Sequence, residues 1–474
     1  MLEMEQSIIR HDIASRSDAP LRPVGVVFGR LDDKIRVVSA AKPRSKGWSI
    51  LLAFIAAGAL IYRFRPEPVP ISPDAVRLPV LAVLIFDNLN EKPEMDFLAN
   101  AFTRETIAKI GQISSGAFDV IAYNSVETYR KTRKTLHQIG RELGVDYVLE
   151  GGARREGDEL QLTVHLIRVS DQSRLWEETY VRSLADGFQI QNQMIEKLAP
   201  TFNLQVTPAD LEALNRGGTN SARAREMYFV AVDLCDKGAE TLKKCVGSLE
   251  AALKADPKYP RAHAALAAAL LRPGGDPKAA EKHVRQALAV TDAIPQAHIV
   301  LGLLTGDETE FRKAIALNRS EADAFLEYAR FLLEKNRLAE ATAQVQRALD
   351  LDPFSVDATV MFARISIAAK LYDRGIAQLE KAVGMDRNNP DIRFYLGAAY
   401  LARDKYDDAI REFQRAISFG PDVPEYLAAL GEAYAAASRF DEAKAQLVQL
   451  QQLSKKRYVN PALIEKLAKN INRP

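Results

Sequence analysis

Apolar residues recur with a fixed period in the carboxyl-terminal part of the chain, from about residue 322 to residue 451. One column of small residues returns every 34 positions, at Ala329, Ala363, Gly397 and Gly431. Three further columns of mostly apolar residues keep the same register over four cycles. Small residues allow two helices to cross about 8–10 Å apart, and helix stops such as Asp352-Pro353 separate the cycles. The pattern therefore predicts a tandem array of helical pairs.

A 34-residue period of paired helices resembles the tetratricopeptide repeat, whose helical hairpins bury their apolar faces by stacking on one another. The resemblance covers residues 222–457 and predicts about six repeats, followed by a capping helix within residues 458–474. The repeats before residue 322 are less regular. The pair that carries Leu301-Gly302 is shortened, since it runs only from Pro295 to about Ser320, and we expect the superhelix to loosen or kink there.

In the geometry of this family, the first helix of each pair lines a concave surface. The positions assigned to that surface are Leu326, Arg330, Val360, Arg364, Asp391, Phe394, Leu401, Glu425 and Glu432. Along the surface an acid, an apolar residue, often an arginine and a second apolar residue follow one another. The resemblance therefore implies a protein partner, bound through a segment that carries apolar anchors and both signs of charge. The alternative is a mixed polar surface without a partner.

Residues 78–205 have the alternation of strands and helices that is typical of a compact α/β domain. The apolar run 78–86 predicts a strand that is covered on both faces. The other predicted strands cover 118–122, 147–155, 160–169 and 174–182, and the predicted helices cover 95–113, 136–143 and 184–204. Glu156-Gly157-Asp158 predicts a hairpin turn. The predicted fold class is therefore an α/β module followed by an all-α superhelix.

Four sequence blocks in this segment form a recognisable set. They are Leu81-Ala82-Val83-Leu84 with Phe86 and Asn88-Leu89, Phe97-Leu98-Ala99, the block 139–151, and Leu175-Trp176 with Glu178-Thr179-Tyr180. With these blocks, residues 78–205 resemble the amino-terminal module of TolB-like proteins, which often precedes tetratricopeptide repeats in bacterial chains. The chain departs from that pattern at Leu84-Ile85, where a proline usually precedes the phenylalanine, and at Ala101, which replaces a glycine.

The amino-terminal region has a different pattern. The sequence predicts a flexible basic tail over residues 1–46, and an uncharged apolar run begins at Gly47 and ends at Tyr62. This run predicts a transmembrane helix over 47–64, followed by a proline-rich linker over 65–77. More basic residues precede the run than follow it, so we expect a single-pass protein of the inner membrane. Its amino terminus would lie in the cytoplasm and its repeats in the periplasm.

Composition argues against several classes of protein. The chain has 474 residues, 64 Lys and Arg against 62 Asp and Glu, and a net charge of +2, which gives no general preference for nucleic acid. Two cysteines exclude a four-cysteine zinc site, and the six histidines are scattered. We expect no cofactor, no metal, no small-molecule substrate and no enzymatic activity.

The remaining chemical candidates are weak. The run Gly151-Gly152-Ala153-Arg154-Arg155 lacks the spacing of a phosphate-binding loop, and we interpret it as a solvated strand end. His165 lies on the polar face of its strand and is interpreted as a surface histidine. Cys235 and Cys245 flank a predicted helical turn, which leaves open whether they form a disulfide or are two separate core thiols.

Two functions follow from these patterns. The first is a membrane-anchored scaffold or sensor whose repeat groove binds a partner protein. The alternative is a truncated member of a signalling family that retains only the sensory part. Relatives of the TolB-like module place a class III nucleotide cyclase or a winged-helix regulator before the membrane helix.

Overall fold

The computed structural model describes residues 77–90, 96–114, 116–183, 186–235 and 237–472. The predicted tail over 1–46, the predicted membrane helix over 47–64 and most of the predicted linker over 65–77 lie outside the described residues. The strands and helices described below all belong to one compact unit of the chain.

The predicted localisation in the inner membrane needs correction. No helix in the described ranges is long and apolar enough to cross a membrane. The longest of them, residues 96–113, has 18 residues and carries Arg104, Glu105 and Lys109 near its middle. A membrane-spanning helix needs about 20 predominantly apolar residues. The structure therefore contradicts the assignment to a single-pass membrane protein with periplasmic repeats.

One mixed sheet forms the first part of the described chain. Its strands are β1 (Val80–Val83), β2 (Asp87–Asn88), β3 (Asp119–Val120), β4 (Tyr147–Glu156), β5 (Glu159–Arg168) and β6 (Arg174–Ser183). The order is β3-β1-β4-β5-β6, and β2 pairs with the end of β4. Strands β3, β1, β2 and β4 are parallel neighbours, whereas β4, β5 and β6 form an antiparallel meander. Leu81, Ala82 and Val83 are fully buried, as the apolar run predicts.

Helices connect and cover these strands. They are α1 (Asp96–Ile113), α2 (Tyr123–Glu127), α3 (Leu136–Leu143), α4 (Gly187–Leu198), a 3₁₀ turn (Ala199–Phe202) and α5 (Pro208–Asn215). A capping box of Thr135 and Gln138 begins α3, and Gly144 ends it in the left-handed conformation. The strands and longer helices lie where the sequence predicts them. Helices α2 and α5 were not predicted, because both are short and lack a sustained apolar period.

Seven helical pairs follow within the described part of residues 222–454, where the period predicted about six. They are α6 (Ala222–Cys235) with α7 (Ala239–Ala255), α8 (Pro260–Leu270) with α9 (Pro277–Val290), α10 (Pro295–Thr305) with α11 (Glu308–Leu317), α12 (Ala322–Glu334) with α13 (Leu338–Leu351), α14 (Val356–Ala368) with α15 (Tyr372–Met385), α16 (Pro390–Ala402) with α17 (Tyr406–Phe419), and α18 (Pro424–Ala436) with α19 (Phe440–Ser454). We number these pairs one to seven along the chain.

The columns of small residues lie where two helices of a pair meet. A Cβ atom on Gly397 would stand 2.8 Å from the ring of Phe413, and one on Gly302 would stand 2.9 Å from the ring of Phe311. The third pair is short, as predicted, because α10 and α11 have 11 and 10 residues while α12 and α13 have 13 and 14.

A last helix, α20 (Pro461–Ile471), covers the end of the stack. A Cβ atom on Gly431 of α18 would lie 2.6 Å from Leu467, so glycine is what allows the close approach of the two helices. Lys466 of α20 lies 3.0 Å from the carboxylate of Glu432 on α18. These contacts close the apolar end of the superhelix, as a capping helix should.

Candidate functional site

The edge of the sheet docks on the repeats. Arg347 of α13 forms a two-point ion pair with Asp119 of β3, with Nη1 and Oδ2 2.7 Å apart. The backbone N–H of Val120 donates to the hydroxyl of Ser320, and that of Ala122 donates to the carbonyl of Leu351 at 2.8 Å. The edge strand and the residues just after it thus satisfy their outward N–H groups with groups from the loop before α12 and from the last residue of α13.

A second set of contacts lies beside this edge, around Asp352. The hydroxyl of Ser125 donates to Oδ1 of Asp352 and accepts from the backbone N–H of Phe354 at 3.0 Å. Burial raises the pKa of Asp352, while the hydrogen bonds from Ser125 and Asn124 act against that rise. The aspartate that marks a helix stop in the sequence therefore also holds α2.

Helix α1 lies along the first pair. Phe102 of α1 meets Phe229 of α6 edge to face, with ring centroids 5.6 Å apart. Next to them the side-chain amide of Asn100 donates to Asp233 at 2.7 Å. The apolar contact and the buried hydrogen bond fix the α/β part against the amino-terminal end of the superhelix.

Charged residues at the carboxyl-terminal half of α1 form a buried cluster. Glu105 accepts from Arg261 of α8 at 2.8 Å and from Gln191 of α4 at 3.1 Å. Lys109 lies one turn further along α1, with Nζ 3.9 Å from Glu105. The side chains of Glu105, Lys109 and Arg261 are 15%, 2% and 12% exposed. Burial alone would raise the pKa of Glu105, but the neighbouring cations lower it. A cavity of about 340 Å³ lies beside this cluster.

The nine residues predicted to line the groove differ in exposure. Asp391 is exposed; Arg330, Val360 and Glu425 are half-buried; Leu326, Arg364, Phe394, Leu401 and Glu432 are buried. The structure brings some of them together with neighbours from the next pair. The hydroxyl of Tyr426 donates to Asp391 at 2.6 Å, and its ring lies 5.1 Å from that of Phe394.

Two groove positions have charged neighbours within the chain. Arg330 donates Nε to Glu327 at 3.0 Å, one turn earlier on α12. Glu432 is paired with Lys466 of the capping helix, which the sequence did not suggest because α20 carries no repeat signature. Arg364 is 8% exposed, so its helical face is less open than the repeat geometry implies.

A larger cavity, of about 1030 Å³, opens after the carboxyl end of β1 and beside the middle of β4. Its lining includes His165 and the backbone of Gly151 and Gly152, which the sequence suggested were a surface histidine and a strand end. The side chain of His165 is 20% exposed and its Nδ1 lies 3.4 Å from Glu177 of β6. Burial raises the pKa of Glu150, against the opposing effect of His165. The sequence missed this grouping because its members come from different strands.

The two cysteines form a disulfide, with Cα atoms 5.1 Å apart. Cys235 ends α6 and Cys245 lies in α7, so the bond closes the hairpin of the first pair. The sequence had left this pairing open. Among the described residues, no group of three or more His, Cys, Asp or Glu side chains could hold a metal ion.

Three family models match parts of the chain. Two describe the tetratricopeptide repeat, over residues 308–356 and 366–432. The helical pairs within residues 308–432 are tetratricopeptide repeats. The third model, over residues 77–198, is that of the second domain of HilA/YgeH-like transcriptional regulators. The α/β part thus matches a domain found in regulators, and these three models do not support its predicted resemblance to TolB-like proteins.

Relatives cover the chain only in part. The chain is 30% identical over 189 residues to "Putative adenylate cyclase 3" of Rhizobium meliloti, and this match covers 40% of the chain. The chain spans about a third of the length of that curated relative, 32%.

Solved structures resemble the chain at low identity. PilF of Pseudomonas aeruginosa is 20% identical, with 44% of this chain and 96% of that chain covered and a TM-score of 0.37. A tetratricopeptide repeat protein of Parabacteroides merdae is 14% identical, with 53% and 99% covered and a TM-score of 0.39.

Proposed function

We propose that the concave face of pairs four to seven binds an extended segment of a partner protein. The tetratricopeptide repeat is a scaffold for interactions between proteins, and this chain carries seven helical pairs and a capping helix. The observation that carries the proposal is the charge between neighbouring first helices. Burial raises the pKa of the Glu334 carboxyl at the end of α12. Arg330 of α12 and Arg364 of α14 both act against that rise.

The half-buried guanidinium of Arg330 favours an acidic side chain in the bound segment, because arginine holds a carboxylate through paired hydrogen bonds. Half-buried Val360 lies on the first helix that carries Arg364 and offers an apolar contact. The expected ligand is therefore a segment with an acid next to apolar residues. The partner is a protein of unknown identity.

Selection from a library of random 12-residue peptides on the immobilised protein tests this proposal. We expect the selected peptides to share an acid flanked by apolar residues, and their binding to fall at least tenfold in Arg330→Gln. The matched control is Arg285→Gln, which removes an exposed arginine paired with Glu281 on the second helix of pair two. Peptides that bind both variants as tightly as the unchanged protein would show that another surface is used.

A second candidate function is favoured by two of the comparisons. We infer that the α/β domain, with its TolB-like sequence blocks, and the repeats could serve as the regulatory part of a signalling protein. The supporting observations are the match of residues 77–198 to a domain of transcriptional regulators and the partial match to a putative adenylate cyclase. A purely regulatory part makes no cyclic AMP and binds no DNA by itself, so assays for cyclic AMP formation from ATP and for DNA binding test this candidate. Cyclase activity from this chain itself would overturn the scaffold proposal.

A further inference from the structure

A cavity of about 340 Å³ lies where α1 meets the loop between α5 and α6 and the start of α8. More cations than acids line it among the described residues. The charged residues of its wall are Glu105, Lys109, Arg225, Asp256, Lys258 and Arg261. The wall belongs to the α/β part on one side and to the first two pairs on the other, so the cavity exists only because the two parts dock.

Lys109 of this wall is a buried lysine with few hydrogen-bond acceptors. Its side chain is 2% exposed. Its Nζ donates to Oδ1 of Asn215 at 3.1 Å, and the carboxylate of Glu105 is 3.9 Å away, beyond direct hydrogen bonding. An ammonium group has three donors. Two of them therefore lack an acceptor among the described residues, and they border the cavity.

The acids of the wall are already engaged. Glu105 accepts from Arg261 and Gln191. Asp256 accepts from the hydroxyl of Thr219 at 2.5 Å and from the backbone N–H of Lys258 at 3.0 Å. A buried ammonium is costly unless acceptors surround it. The group that would complete this site chemically is an additional oxyanion inside the cavity.

We propose that the cavity binds a small molecule through a carboxylate or phosphate group, which accepts hydrogen bonds from Lys109 and faces Arg225 and Arg261. Helix α8 begins at Pro260 beside the cavity, and the positive end of its dipole also favours an anion. A cavity of this size is at the lower end of small-ligand sites. This proposal does not depend on peptide binding in the groove.

The ligand would act as a bridge between the two docked parts. Its oxyanion would contact α1 through Lys109 and the repeats through Arg261, so binding should stabilise the docked arrangement by mass action. A ligand-dependent contact between the α/β part and the repeats is what a sensor of small metabolites requires.

Binding should depend on pH through Lys109. Burial lowers the pKa of Lys109 to about 7; Glu105 opposes that shift, while Arg261 and Arg225 add to it. Tyr259, which also lines the cavity, has its pKa raised well above the usual value by burial and stays neutral. An anion favours the charged lysine, so binding above about pH 7 should draw protons from solution.

Titration calorimetry on the whole chain with sulfate and with succinate tests the proposal at pH 6.5 and pH 8.5. Sulfate represents a tetrahedral oxyanion that does not itself titrate in this range, and succinate represents a carboxylate. The anion that binds more tightly indicates which of the two groups the natural ligand carries. We expect one of them to bind about tenfold or more weakly at pH 8.5, with proton uptake that differs between buffers of different ionisation enthalpy.

Lys109→Met keeps the apolar stem and removes the charge. We expect this variant to lose binding at least tenfold and to lose the pH dependence as well. The control is Lys134→Met, in which an exposed lysine paired with Glu142 is replaced. If neither anion binds the unchanged protein at 10 mM, or if both variants bind alike, the cavity is not an anion site. Should Lys109→Met fail to fold, the pH profile of the unchanged protein still decides.

Discussion

Arg347 in the fourth pair and Asp119 in the edge strand form an ion pair across 228 residues of sequence. Their side chains are 28% and 13% exposed, so solvent screens the pair only in part. Together with the Ser125–Asp352 contact, the ion pair fixes the sheet to the middle of the superhelix.

Arg347→Met should loosen that docking. We expect the free energy of unfolding to fall by about 1.5–3 kcal/mol, because the substitution leaves a largely buried carboxylate without its charged donor. Hydrogen exchange should speed up in β3 and α2 before it changes in α17. The control variant is Arg411→Met, whose exposed pair with Asp408 lies within one turn of α17. Equal effects of the two substitutions would argue against a special role of the Asp119 contact.

Reduction of the Cys235–Cys245 disulfide should destabilise the first pair. The bond closes a loop with a sequence separation of 10 residues, for which the chain-entropy estimate is about 2–3 kcal/mol. Thiol counting on denatured protein, without reductant, should find no free thiol. Adding reductant should lower the melting temperature of the unchanged protein and leave that of a double Cys→Ala variant unaffected. Two free thiols in the isolated protein would contradict the bond.

A pair of histidines should make the second repeat sensitive to acid. The Nδ1 atoms of His263 and His283 lie 2.9 Å apart, and Nε2 of His263 lies 3.0 Å from the carbonyl of Pro257. Since a carbonyl accepts, Nε2 of His263 carries hydrogen and its Nδ1 must accept from His283. If both rings were protonated, each Nδ1 would carry a hydrogen, and the two N–H groups would face each other without an acceptor.

Burial and the neighbouring His263 lower the pKa of His283 below its usual 6.5. The unfolded chain therefore binds more protons than the folded one below pH 6.5, and stability should fall as the pH drops from 7.5 to 5. His283→Asn keeps a donor for His263 and should flatten this fall in thermal melts. His137→Asn, at an exposed position of α3, should not. If stability fell with pH as steeply in His283→Asn as in the unchanged protein, the histidine pair would not be the cause of the acid sensitivity.

Two glycines within repeat helices should respond to alanine in opposite directions. A Cβ atom on Gly397 would lie 2.8 Å from the buried ring of Phe413, whereas one on Gly247 would meet nothing within 4 Å. We expect Gly397→Ala to cost about 1–3 kcal/mol through overpacking and Gly247→Ala to stabilise by about 0.5–1 kcal/mol through helix propensity. Urea unfolding measures both. A gain in Gly397→Ala would mean that pair six can widen freely.

The sequence predicted the repeats well because their contacts are local and periodic. Gly397 and Phe413 occupy fixed positions in one 34-residue cycle, so the column pattern reveals both helices of the pair. The strands were also recognisable, since β1 is an unbroken apolar run and β5 alternates.

The docking could not be predicted in this way. Asp119 and Arg347 are ordinary charged residues at surface-like positions in the sequence, and no period relates them. Lys109 is one of 64 basic residues, and only the folded chain shows that it is buried. The nine groove positions were placed by the period alone, which does not report how neighbouring side chains such as Lys466 cover Glu432.

The docked α/β part changes how the short third pair should respond to bending of the superhelix. In an unbraced solenoid each repeat touches only its neighbours, so the weakest pair acts as a hinge. Here α1 holds pair one at Asp233 and pair two at Arg261, while β3 holds pair four at Arg347. The α/β part thus bridges the shortened helices of pair three. The α/β part therefore braces the first four pairs against bending. Bending of the superhelix should therefore concentrate in pairs five to seven, which lie beyond these contacts.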